Sequence, residues 1–109
     1  MSSAAESAVI VLTTVSADAD AAELARTLVE QRLAACVNIV AGVTSVYRWK
    51  EGVEQDEEQL LLIKTTMDMI EALKARLREL HPYELPEFVV IQVSGGSEAY
   101  LGWLCGSVG

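Results

Sequence analysis

Two kinds of hydrophobic pattern alternate along this chain. Runs of apolar, β-branched residues are typical of strands, and apolar positions that recur every three or four residues are typical of helices that bury one face. The pattern predicts strands over residues 8–15, 36–50, 59–65 and 88–94. It predicts helices over residues 21–33, 67–80 and 98–106. The predicted order is therefore β-α-β-β-α-β followed by a C-terminal helix.

Polar residues and glycine mark the ends of these elements. Asp20, Thr66 and Ser97 carry side-chain oxygens that can cap the three helices. Gly42 predicts a bulge within the second strand, and residues 51–58, rich in Asp and Glu, predict the turn to the third strand. Two crossovers on one antiparallel sheet predict an α+β fold, a ferredoxin-like βαββαβ sandwich with strand order 4-1-3-2 and an extra C-terminal helix.

The central hairpin is long for a chain of this size. Strand residues 36–50 span about 50 Å at roughly 3.3 Å each, whereas a 109-residue domain has a radius of gyration near 13 Å. The hairpin should therefore project beyond the rest of its domain and expose unpaired backbone groups. Another copy of the chain is the simplest partner for such edges, so we expect self-assembly. The length alone does not distinguish a dimer from a trimer.

Composition narrows the class of protein. The 109 residues suit one domain, which we place at residues 8–109 after a disordered tail over 1–7. A hydrophobic content of 51% excludes a disordered chain. The net charge of −8 makes nucleic acid and anionic membrane surfaces poor partners. No apolar run approaches the roughly 20 residues of a membrane span, and the N-terminus lacks a signal pattern, so we expect a cytoplasmic protein.

Few residues carry side chains suited to metal binding or catalysis. His81 is the sole histidine, and it opens a segment in which Pro82 and Pro86 bracket polar side chains. It could ligate a metal or act as a general base, but a loop histidine hydrogen-bonded for packing is the simpler interpretation. Cys36 could bind a thiophilic ion, although its apolar neighbours favour packing, and Cys105 in the last helix is best explained by packing as well.

Five motifs carry a family resemblance. They lie, in chain order, at residues 32–39, 45–49, 64–65, 81–87 and 100–103, and the segment His-Pro-Tyr-Glu-Leu-Pro-Glu at 81–87 is the most specific. With these motifs the chain resembles the CutA divalent-cation tolerance family over residues 8–105. The resemblance implies a ferredoxin-like homotrimer similar to PII signalling proteins, with a role in tolerance to copper or other divalent cations.

The resemblance also implies which residues form a site. Family members with a proposed copper site place ligands at positions that here hold Thr13, Leu80 and His81. Only His81 retains a metal-binding side chain, so we expect copper or another divalent cation to bind weakly. We expect a ligand cleft between subunits, lined by Tyr47, Trp49, Lys64, Tyr83, Glu84, Glu87 and Trp103.

Three functions are compatible with these residues. The first is a trimeric binding or signalling protein linked to cations, and the second is a non-catalytic trimeric scaffold for partner proteins. The third is an enzyme that uses His81 with Glu84 or Glu87, or that uses Cys36. One histidine, no paired nucleophile and no cofactor motif favour the first two over catalysis.

Overall fold

A computed structural model describes residues 7–109. The strands are β1 (Ala8–Ser16), β2 (Cys36–Trp49), β3 (Gly52–Thr66) and β4 (Val89–Gln92). The helices are α1 (Ala21–Glu30), α2 (Ile70–Leu80), which follows a 3₁₀ turn at Met67–Met69, and α3 (Glu98–Gly106). The predicted βαββαβ order with a C-terminal helix is confirmed. Of the predicted tail over 1–7, residues 1–6 lie outside the described part of the chain.

One antiparallel sheet organises the fold, with strand order β2-β3-β1-β4 as predicted. Side chains along β1 point alternately to the two faces of the sheet. One face is fully or almost fully buried, and β1 contributes to it Val9, Val11, Thr13 and Val15. The principal core includes side chains from β1, β3, the first two helices and the loop after α1: Val11, Val15, Ala21, Leu28, Ala34, Leu61, Ile63, Leu73 and Leu77. This face of the sheet is therefore covered by helices.

The opposite face of the sheet is apolar and mostly uncovered within one chain. Leu12 of β1 lies opposite Leu62 of β3 and Val89 of β4, and Ile91 lies opposite Ile10. Val89 and Ile91 are 48% and 45% exposed. The helix α3 packs at one end of the sheet, where Leu101 and Leu104 contact Ala8 and Ala35. An apolar patch of this kind on a small domain is typical of an interaction surface.

The β2–β3 hairpin extends past the other strands, as its length predicted. The pairing of β1 with β3 stops at Glu58, while β2 and β3 continue to pair up to Trp49 and Gly52. The described chain therefore measures 47 × 25 × 24 Å. At Gly42, with φ +73°, the register shifts between Val40 and Val43, which confirms the predicted bulge.

The turn of this hairpin lies earlier than predicted. Lys50 and Glu51 form it, with Lys50 at φ +57°, and residues 52–58 belong to β3. The prediction of a turn over 51–58 was wrong because a projecting hairpin exposes most side chains here on both of its faces. Acidic residues in such a strand remain hydrated, so their density does not require a turn.

Two of the three predicted caps form. Asp20 accepts a hydrogen bond from the Glu23 N–H at 3.1 Å, and Ser97 accepts one from the Tyr100 N–H at 3.2 Å. Thr66 is extended and makes no capping hydrogen bond, since the chain leaves β3 through the 3₁₀ turn. The strand β4 is also shorter than the predicted 88–94: it pairs with β1 over Val89–Gln92, and beyond it the Val93 N–H donates to the Ala8 carbonyl at 3.1 Å.

Arg32 fixes the position of the C-terminal segment. The residue has φ +59°, and its Nε donates to the Gly109 carbonyl at 2.8 Å while Nη2 donates to the Gly106 carbonyl at 3.1 Å. The Gly109 N–H donates back to the Arg32 carbonyl at 3.0 Å. These three bonds hold the end of α3 against the loop that follows α1.

Candidate functional site

A groove of about 780 Å³ lies between the projecting hairpin and the proline-bracketed segment 81–87. The hairpin supplies the strand residues of one wall, and the proline segment with the start of β4 supplies the other. Five of the predicted cleft residues line it: Tyr47, Trp49, Tyr83, Glu84 and Glu87. Arg48, Asp56, Glu58 and Phe88 are among the other lining residues.

Two tyrosine–carboxylate pairs fix the walls of the groove. The Tyr83 hydroxyl donates to Glu58 Oε2 at 2.7 Å, and the Tyr47 hydroxyl donates to Asp56 Oδ2. Asp56 and Glu58 are two residues apart on β3, so both side chains project to the same face. The Tyr83 bond joins the proline segment to the sheet, whereas the Tyr47 bond lies within the hairpin.

The carboxylates make both phenols harder to ionise. The hydrogen bond to Asp56, followed by desolvation and the nearby negative charges, raises the pKa of Tyr47 to about 12. Burial, followed by the hydrogen bond to Glu58, raises the pKa of Tyr83 still further. Both phenols therefore remain protonated hydrogen-bond donors at neutral pH.

The charge of the groove is predominantly negative. Four of its lining residues are acidic and one is basic: Asp56, Glu58, Glu84 and Glu87 against Arg48. At the hairpin end the Lys50 ammonium lies 5.9 Å from the centre of the Trp49 ring, within the range of a cation–π contact. Carboxylates and electron-rich rings together favour a ligand that carries positive charge.

His81 connects the proline segment to β1. It is 7% exposed, its Nε2 lies 2.6 Å from the Thr14 carbonyl, and its Nδ1 accepts the Tyr83 N–H at 3.2 Å. Because Nδ1 accepts, the neutral ring carries its proton on Nε2 and donates it to Thr14. The ring also packs against Tyr83 at a centroid distance of 4.8 Å. In this arrangement neither nitrogen has a lone pair open to a metal.

Lys64 and Trp103, the other two predicted cleft residues, are not in the groove of the same chain. The Lys64 Nζ lies 3.3 Å from the Tyr100 hydroxyl and 5.5 Å from the centre of its ring. The Tyr100 ring in turn contacts Trp103, which is 49% exposed, at 5.4 Å between centroids. These residues form an aromatic and basic patch between α3 and β3, at the other end of β3 from the hairpin.

Comparison with known proteins identifies the family. Residues 9–107 match the family model described as "CutA1 divalent ion tolerance protein". The chain belongs to the CutA1 divalent ion tolerance family. The divalent-cation tolerance protein CutA of Thermus thermophilus is 50% identical over 95 residues, a match that covers 87% of this chain and 92% of that one.

Other CutA relatives differ in length and in the compartment named for them. The chloroplastic protein CutA of Arabidopsis thaliana is 45% identical over 82 residues, which cover 75% of this chain and 45% of that protein. The chain thus spans less than half the length of that relative. The chloroplastic relative also indicates that location varies among CutA proteins. Across residues 7–109, no helix has the length and hydropathy needed to cross a bilayer.

Solved CutA structures share the whole fold. The divalent cation tolerance protein from Thermus thermophilus gives a TM-score of 0.90 at 48% identity and covers 94% of this chain and 99% of its own. A protein described as PII-like CutA, from a Nostoc species in apo form, gives a TM-score of 0.85 at 41% identity, covering 93% and 97%. The α+β ferredoxin-like fold, shared with PII-like proteins, is thereby confirmed.

The donor atoms of one protomer do not fit a metal site. Within the described residues, no group of three or more His, Cys, Asp or Glu side chains is arranged to hold an ion. Both ring nitrogens of His81 bond to the backbone. The other two positions at which the family resemblance implies metal ligands hold Thr13 and Leu80. The thiol of the half-buried Cys36 lies 4.0 Å from the Asn38 amide oxygen. The described residues of one protomer therefore offer no preformed set of metal ligands.

Asp56 and Glu58 are site residues that the sequence analysis did not single out. Both fall in the turn predicted over residues 51–58, but each accepts a tyrosine hydroxyl in the groove. No sequence signal separates these two residues from their neighbours, because Glu57 between them is also acidic and residues 54–58 have no alternating apolar face.

Proposed function

We propose that this chain is a homotrimeric, PII-like binding protein of the CutA divalent-cation tolerance type. The observation that carries the proposal is the large groove between the hairpin and the proline segment, with its ordered phenols and excess of carboxylates. Its ligand-binding residues are Tyr47, Trp49, Tyr83, Glu84 and Glu87. The site lies on rigid elements, which suits recognition of a ligand by preformed geometry.

The open sheet face and the projecting hairpin support self-assembly. Val40, Val89 and Ile91 are between 43% and 48% exposed in the isolated chain, and burial of this apolar surface would favour association. A cyclic trimer is built from interfaces that join two different surfaces of the protomer. We propose that the patch with Lys64 and Trp103 on one protomer completes the groove of the next.

The charge of the site defines what it should bind. A metal ion or a small cationic molecule would be attracted to the carboxylates, whereas nucleic acid and anionic membranes would be repelled by a chain of net charge −8. Copper should bind weakly or non-specifically, since both ring nitrogens of His81 must first break hydrogen bonds to the backbone before either could ligate it. The proposed location is the cytoplasm.

A non-catalytic scaffold for partner proteins is the second candidate function. It is favoured by the stiffness of the proline segment, which two prolines and the His81 and Tyr83 bonds hold in place. In either case we propose no catalysis, because His81 lies against backbone groups and is not paired with a nucleophile.

Glu84→Gln tests the site, since it preserves size and removes charge from an exposed groove residue. Divalent metals and small metabolites would be screened by thermal shift, because a ligand of the native state raises the melting temperature. Glu71→Gln, an exposed change at the start of α2, is the matched control. A stabilising ligand whose effect is lost only in Glu84→Gln, with assembly intact, would support the proposal.

The other outcomes of that experiment are equally informative. Loss of assembly in Glu84→Gln would make the proline segment structural and favour the scaffold. If neither assembly nor any ligand response changes, the groove is not the functional site and the proposal fails.

A further inference from the structure

A second cavity, of about 280 Å³, lies on the helix-covered side of the sheet. Thr13 of β1 lines it together with Lys74 and Arg78 of α2 and with Glu84 and Glu87 of the proline segment. The cavity is large enough to hold several waters. It lies on the face opposite the uncovered apolar surface, so assembly through that surface would leave it accessible.

Thr13 gives this cavity an unused hydrogen-bonding group. The residue is 0% exposed, and its Oγ1 is the one buried side-chain polar atom of residues 7–109 that lacks a hydrogen-bond partner. Buried hydroxyls are nearly always satisfied because losing their bonds to water is costly. A ligand atom in the cavity would provide the missing partner.

The charges around the cavity are separated by sign. Lys74 and Arg78 lie one helical turn apart on α2, so they share a face, while Glu84 and Glu87 belong to the opposite wall. All four side chains are exposed. In the described part of the chain the one salt bridge within 4.0 Å joins Arg76 to Glu79, so these four form no such pair.

We propose that this cavity binds a small zwitterion of the amino-acid class with an apolar side chain. Lys74 and Arg78 bind its carboxylate, with the Thr13 hydroxyl as an additional donor. Glu84 and Glu87 bind its ammonium group. Leu77 and Phe88, which also line the cavity, contact the apolar side chain.

This assignment differs from the metal site implied by the family resemblance. Thr13 and His81 lie at the same cavity, but a buried hydroxyl and an engaged imidazole are poor copper ligands. Two cations facing two carboxylates suit a molecule that carries both charges. Glu84, Glu87 and Phe88 line both the cavity and the groove, whereas Thr13, Lys74 and Arg78 line the cavity alone. Substitutions at these three residues therefore distinguish this inference from the proposed function.

L-Leucine is the probe, with binding measured by calorimetry on the full chain. Its deaminated analogue 4-methylpentanoate and its decarboxylated analogue isoamylamine each lack one charge. We expect leucine to bind at least tenfold more tightly than either analogue. We expect Thr13→Val and Arg78→Met each to weaken leucine at least tenfold, while Arg26→Met, an exposed change on α1, leaves the affinity unchanged.

Thr13→Val also separates binding from folding. The substitution preserves the shape of the side chain and removes the unsatisfied hydroxyl, so the free variant should melt at the same or a higher temperature than the parent protein. No leucine binding at millimolar concentration would overturn the proposal. Equal affinity for isoamylamine, or unchanged leucine affinity in Thr13→Val, would overturn it as well.

Discussion

Replacing Tyr83 by Phe tests whether the proline segment is held to the sheet by its phenol. The Tyr83 hydroxyl donates to Glu58 at 2.7 Å, and Glu58 is 6% exposed. Removing the donor leaves a carboxylate that water reaches poorly. Hydrogen bonds to charged groups contribute about 1.5–3 kcal/mol, so we expect Tyr83→Phe to lower the free energy of unfolding by about 2 kcal/mol.

Tyr47→Phe is the matched control because it removes the same kind of bond at an exposed position. Asp56 is exposed, so water can replace the Tyr47 hydroxyl, and the loss of stability should be smaller. Both variants would be compared by urea unfolding at one protomer concentration, since the midpoint of an assembled protein depends on concentration.

The double variant shows whether the buried charge is responsible. Glu58→Gln removes the charge, so adding it to Tyr83→Phe should recover part of the lost stability. Equal losses in Tyr83→Phe and Tyr47→Phe, or no recovery in the double variant, would refute the explanation based on the Glu58 carboxylate.

Three further predictions concern copper binding, the pH dependence of stability and the backbone conformation at Gly42. In calorimetric copper titrations, binding should be weak and little changed by His81→Ala; a stoichiometric submicromolar site lost in that variant would contradict this expectation. Folding raises the pKa of Tyr47 from 10 to about 12, so the protonated Tyr47 hydroxyl contributes fully to stability below pH 10, and this contribution is lost as pH rises through 12. Tyrosinate absorbance should show this titration, and Tyr47→Phe should remove it. Gly42→Ala should lower the free energy of unfolding by about 1 kcal/mol, because φ at this residue is +73° even though there is room for a methyl group. Gly52→Ala, where there is also room, should change stability little. Equal effects of the two substitutions would refute the conformational explanation.

The element order and sheet topology were predictable because hydrophobic periodicity reports which side chains face the core. The projecting part of the hairpin was not, since residues 52–58 are mostly exposed and show no core-facing pattern. There the acidic composition was misinterpreted as a turn. The missing Thr66 cap has a similar cause: the 3₁₀ turn after β3 depends on backbone geometry that composition does not report.

The sequence pointed to Tyr47 and Tyr83 as candidate site residues, but it did not point to the carboxylates that they bond. Tyr47 and Tyr83 lie 36 positions apart, and only the fold shows that both bond to carboxylates of β3. Lys64 follows Glu58 by six residues on one strand, which is about 20 Å at roughly 3.3 Å per residue. A motif identifies such a residue without showing that it lies at the far end of the sheet from the groove.

Light scattering across a dilution series tests the proposed assembly most directly. The exposed apolar face and the projecting hairpin predict an assembly, and the proposed homotrimer predicts a mass of three protomers that is independent of dilution through the micromolar range. Ile91→Glu, which places a charge on the open face at a residue already 45% exposed in the isolated chain, should dissociate the assembly without unfolding the protomer. A folded monomer of the parent chain at micromolar concentration would contradict the account.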